Sequence, residues 1–136
     1  MTELEVFDAS NNEVDDVSIL AVCKKLRIFT MTDNLLTSID FLSDIVTIEE
    51  VNIDYNDVVA VPEFQKDCAL IRFSAAHNFL EDLSGLAGLT ALNYVNADYN
   101  NITDISVLET CPNLTQVNVF GTYPQLHPGW KVTLLS

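Results

Sequence analysis

Apolar and polar positions repeat along this chain with a period of 22 residues. Leu4, Leu26, Ile48, Leu70, Leu92 and Leu114 open successive units. Further into each unit come Phe7, Phe29, Val51, Phe73, Val95 and Val117, then Ala9, Met31, Ile53, Ala75, Ala97 and Val119. Asn12, Asn34, Asn56, Asn78 and Asn100 follow at the same spacing, and after them Val14, Leu36, Val58, Leu80 and Ile102. Internal repeats of this length mean a stack of like units, each too thin to bury its own apolar edge. The alternation in Leu92 to Ala97 predicts a short strand in the first half of each unit. The second half predicts a helical or 3₁₀ segment on the outer side, with N-caps at Ser18, Asp40, Ser84 and Ser106. Pro62 holds that place in the third unit, where it suits a helix start, and Pro112 ends the outer segment of the fifth.

Stacked strands lie in parallel about 4.8 Å apart, so every inward column is a ladder of similar side chains in contact. The Asn column falls where the backbone turns out of strand pairing. An amide carries both donors and an acceptor, so it can satisfy backbone groups of adjacent coils. These five Asn residues are therefore read as structural. The chain divides into five coils over 4–113, a sixth partial coil over 114–122 and a cap over 123–136. Thr122 replaces the sixth Asn, and the cap is expected to add a last short strand within Lys131 to Leu135, with Trp130 covering the open end. The first coil has no matching cover, which predicts an exposed apolar edge and either a larger parent protein or self-association.

The runs Asn78-Phe79-Leu80-Glu81-Asp82-Leu83-Ser84-Gly85-Leu86 and Asn100-Asn101-Ile102-Thr103-Asp104-Ile105-Ser106-Val107-Leu108 resemble the 22-residue leucine-rich-repeat class. That class includes bacterial internalin-like surface proteins and a eukaryotic protein-phosphatase regulatory subunit. The resemblance runs from Leu4 to about Val119. It implies an α/β solenoid: a right-handed superhelical coil with a parallel sheet on the concave face and short helical or 3₁₀ segments on the convex face. It also implies a concave binding surface, with no particular partner.

The outward strand positions would line that surface. Tyr55, His77 and Tyr99 fall in one column, with Arg72, Tyr94, Asp54 and Asp98 close by. Aromatics and Arg dominate binding energy at protein interfaces, so Tyr55, Arg72, His77, Tyr94, Asp98 and Tyr99 are the candidate partner-binding residues. The competing reading is that Tyr55 and Tyr99 only shield the sheet edge.

Composition narrows the function. The formal net charge of −14 argues against nucleic acid and anionic membranes, which need clustered Lys and Arg. No apolar run is long enough to span a bilayer, and no signal peptide opens the chain. Cys23, Cys68 and Cys111 lie 45 and 43 residues apart, without a CxxC, and read as reduced, buried thiols. Asp54 and Asp98 stand two strands apart, about 9–10 Å, which is wide for a shared metal, and no metal or cofactor is assigned. His77 and His127 are the only histidines, no phosphate-binding glycine loop is present, and no catalytic residue is assigned. The expected function is a non-catalytic module binding a protein on its concave face. The alternative is a structural spacer or self-assembling segment of a larger bacterial surface protein, with a homo-oligomer formed through the first coil. Location stays open: secreted or at the cell surface if the chain is part of such a protein, cytoplasmic otherwise.

Overall fold

The computed structural model describes residues 1–122 and the backbone of strand 133–135. Seven strands form one parallel sheet in sequence order: β1 (Val6–Asp8), β2 (Ile28–Thr30), β3 (Glu50–Asn52), β4 (Arg72–Ser74), β5 (Tyr94–Asn96), β6 (Gln116–Asn118) and β7 (Thr133–Leu135). From β1 to β6 every register step is 22 residues, as in Phe7↔Phe29, Phe29↔Val51 and Val95↔Val117. β7 pairs with β6 at Val117↔Leu134, so the repeat length changes there while the sheet continues. The strand expected near the end is therefore present; Trp130, His127 and the rest of the expected cap lie outside the described residues.

The inward columns make one continuous core. Leu26, Phe29, Met31, Leu36, Ile39 and Leu42 are fully buried in the second coil, and their counterparts repeat in the coils that follow. Phe29 meets Phe41 edge-on at 5.3 Å and lies 6.1 Å from Phe7. In the first coil Leu4, Phe7, Ala9 and Val14 are only half-covered, since a neighbour packs on one side of them. Cys23, Cys68 and Cys111 are buried free thiols, and Cys111 Sγ donates to the Leu86 carbonyl at 3.2 Å.

Asn34, Asn56, Asn78 and Asn100 are buried between coils. Asn56 Nδ2 donates to Met31 O at 2.8 Å and Ile53 O at 2.9 Å, while its Oδ1 accepts from Leu36 N at 3.0 Å. Asn12 differs. It is exposed and donates only within its own coil, to Ala9 O and Ser10 O. Among the described residues its amide reaches no other coil, whereas Asn34, Asn56, Asn78 and Asn100 each tie two coils together.

Among the described residues the outer side carries four 3₁₀ turns: η1 (Ser18–Val22), η2 (Asp40–Asp44), η3 (Ser84–Leu86) and η4 (Ser106–Thr110). The expected N-caps are corrected here. Ser18, Asp40, Ser84 and Ser106 are the first residues inside the turns and make no capping bond. The satisfying oxygen lies two residues upstream. Asp16, Asp82 and Asp104 Oδ1 accept from Ser18, Ser84 and Ser106 N, and Ser38 Oγ accepts from Asp40 N, at 2.8–3.1 Å. Pro62 starts no helix. It has no N–H to offer such an oxygen, and residues 57–65 form no helical turn, while Phe64 N donates to Gly85 O in the next coil at 3.1 Å. Gly85 makes that approach possible: a Cβ there would lie 2.1 Å from the Pro62 carbonyl oxygen.

Candidate partner-binding face

The strand positions pointing away from the core form the concave face, and beside it the turn before each Asn carries a column with unusual backbone. Asn11, Asp33, Tyr55, His77 and Tyr99 all have φ between 53° and 61°, and Gly121 has φ 77°. This left-handed region costs roughly 1–2 kcal/mol for a residue with a Cβ, least for Asn and Asp. Equal dihedrals in successive coils point the side chains the same way, so the rings stack. Tyr55 and His77 lie 4.3 Å apart at 9°, and His77 and Tyr99 lie 4.4 Å apart at 21°. Phe120 closes on Tyr99 edge-to-face at 5.3 Å. Tyr55, Tyr99 and Phe120 are each about half exposed, at 54%, 45% and 51%.

Arg72 and Tyr94 occupy adjacent strands, and the guanidinium lies 4.2 Å over the Tyr94 ring. The Tyr94 hydroxyl accepts from Asn118 Nδ2 at 3.1 Å. Partial burial pushes its pKa up, and the charges of Asp54 and Asp98 add to the rise against the pull of Arg72. Arg72, Tyr94 and Asp54, with Thr30, Glu50, Asn52, Ser74 and Asn96, line a shallow depression of about 340 Å³.

Asp54 and Asp98 serve the backbone. Asp54 Oδ1 accepts from Ala76 N at 2.8 Å and Ser74 Oγ at 2.7 Å, and Asp98 Oδ1 accepts from Phe120 N at 2.7 Å. A two-coil alternation emerges. In the first, third and fifth coils a side chain two residues upstream satisfies the N–H at this position: Asp8 to Ser10, Asn52 to Asp54, Asn96 to Asp98. In the second, fourth and sixth coils the acceptor comes from the coil before: Ser10 to Thr32, Asp54 to Ala76, Asp98 to Phe120.

The structure thus brings Tyr55, His77 and Tyr99 into contact as one stack and sets Arg72 on Tyr94 as a separate pair. Asp98 is tied into the backbone between them. Sequence reasoning left out Phe120, which stood in an outward column, and Phe79, 52% exposed two residues after His77. An aromatic on the polar side of the repeat was the available signal for both.

No family model matches the chain, and no curated protein is similar to it in sequence. Solved structures are similar. Internalin C2 from Listeria monocytogenes superposes with a TM-score of 0.81 and 25% identity, covering 95% of this chain and 58% of that one. A leucine-rich-repeat protein of Leptospira interrogans gives 0.83 at 16% identity, covering 91% of this chain and 33% of that one. The fold is the internalin-like leucine-rich-repeat solenoid. The same solenoid also matches a chain in an octameric complex of Latrophilin 3, Unc5D and the leucine-rich-repeat part of FLRT2, with a TM-score of 0.74 and 19% identity over 89% of this chain and 40% of that one. The solenoid here spans 33% and 58% of the first two of these proteins. What these solved leucine-rich-repeat proteins share with the chain is the solenoid itself.

Proposed function

We propose that the solenoid binds a protein partner on its concave face, through Tyr55, His77 and Tyr99 at the edge and Arg72, Tyr94 and Asp98 beside them. One observation carries this reading: three consecutive large side chains hold a left-handed backbone where Asn, Asp and Gly stand elsewhere in the same column. Stability alone favours the small residues there. Strained backbone persists where something besides folding retains it, and such places cluster at binding sites. Shielding the sheet edge does not require rings, because Asn11 and Asp33 make the same turn without them. Half-exposed aromatics on a rigid sheet also bind at low entropic cost.

The test uses a partner isolated by affinity capture and then purified. Tyr99→Asn and Tyr94→Ala are each expected to weaken its binding by at least about tenfold, the scale of an important interface aromatic. Equal affinity in both folded variants removes the concave face from consideration.

A second reading has its own support in the first coil, where Val6 is 52% and Ile19 71% exposed. Self-association there predicts a mass that rises with concentration in light scattering. A constant monomer mass at millimolar concentration ends it.

A further inference from the structure

The aromatic stack has two unlike ends. At one, the Tyr99 ring lies over Gly121, where a Cβ would fall 2.6 Å from it, and Phe120 packs against the same ring. That end is closed. At the other, Tyr55 has His77 on one face, and the next coil carries Asp33. Asp33 has φ 58° against 60° for Tyr55, so its side chain leaves the backbone in the same direction. It ends at a carboxylate where Tyr55 continues as a ring. The outer face of Tyr55 therefore has no ring stacked on it, and the gap beside it holds a carboxylate one strand spacing away, about 4.8 Å. Asp33 is exposed, and its carboxylate makes no hydrogen bond or ion pair among the described residues.

We propose that this gap receives an arginine side chain of the protein partner; the proposal rests on the reading of the concave face as a protein-binding surface. A guanidinium stacks flat on an aromatic face and offers a fork of N–H donors to a carboxylate, whereas an ammonium is a compact, strongly hydrated point charge without a plane. The protein holds such a pair already, Arg72 over Tyr94 at 4.2 Å. Charge agrees: the chain carries −14 overall, which draws a cationic segment toward it.

The probe is the blocked pentapeptide Gly-Ser-Arg-Ser-Gly, compared with the same peptide bearing lysine or citrulline in place of arginine. Binding is read from the ring signals of Tyr55 and the backbone amide of Asp33 by NMR titration at low salt. The arginine peptide is expected to give saturable shifts at both, the lysine peptide to bind about threefold to fivefold more weakly, and the uncharged citrulline peptide to give none. Asp33→Asn and Tyr55→Asn keep a residue that tolerates the left-handed backbone, so the coil is retained; each should abolish the preference for arginine over lysine. No saturable shift, equal binding of all three peptides, or an unchanged preference in both variants overturns the proposal. If the arginine peptide fails while partner binding still depends on Tyr94 and Tyr99, the gap is excluded and the concave face stands. If both fail, the face falls as well.

Discussion

Asn56 and Asn12 occupy the same place in the repeat, yet the structure separates them. Asn56 is buried and bonds to the coil before it; Asn12 is exposed and bonds only to its own coil. Removing a buried polar partner costs about 1–3 kcal/mol. Asn56→Ala is thus expected to lower stability by at least that much, and Asn12→Ala by less than about 0.5 kcal/mol. Urea denaturation of the two variants checks the difference. The Asn column was legible in the sequence because its spacing never varies. The left-handed backbone beside it was not, since Tyr and His give no sign of that conformation; Asn11, Asp33 and Gly121 were the only hints. For His77→Asn the strain relieved, about 1–2 kcal/mol, opposes two stacking contacts worth about 0.5–1.5 kcal/mol each. Stability should therefore change by between a loss of about 2 and a gain of about 1 kcal/mol, even as the stack proposed to contact a partner is lost.

The strands and 3₁₀ turns answer to different signals. Strand register was readable because no insertion interrupts the six coils. The oxygen that serves the start of each outer turn was misplaced by two residues, because the Asp or Ser that accepts the bond precedes the turn instead of opening it. That geometry has a pH consequence. The backbone and hydroxyl of Ser18 hold the Asp16 carboxyl below its ordinary value, and Ser84 does the same for Asp82. A carboxyl depressed by folding stabilises the fold above its unfolded pKa of about 4. That contribution is lost as pH falls through the lowered value. The urea midpoint should accordingly drop on acidification below about pH 4, and less steeply in Asp82→Asn. The contact of the third and fourth coils predicts a larger effect. In Gly85→Ala the new methyl meets the Pro62 carbonyl oxygen at 2.1 Å. Backbone must move, with an expected loss of about 1–3 kcal/mol in denaturant unfolding.

Across the whole molecule, charge and shape act together. A parallel sheet built of one repeat makes a rigid face, and 20 acidic against 6 basic residues give the molecule as a whole a negative sign. A partner recognised partly by charge should lose affinity as salt rises from 50 to 300 mM, about threefold or more, through screening of the pair and its approach. Surface plasmon resonance across that range measures it; a flat response would mean that apolar contact alone holds the complex. The sheet's extent was legible up to Val119 and then only in outline, since β7 joins at a 17-residue offset that no repeat spacing announces.

The alternation of acceptors across the face gives the number of coils a parity. Excising the fourth coil would seat Asp54 directly beside Asp98, two carboxylates on neighbouring strands about 4.8 Å apart, and would strip Asp54 of the Ala76 amide it now serves. Excising the third and fourth coils together would bring Thr32 beside Asp98 and keep odd and even units in turn. A solenoid with this bonding scheme can be shortened or lengthened cleanly only in steps of 44 residues, twice the repeat that its sequence displays.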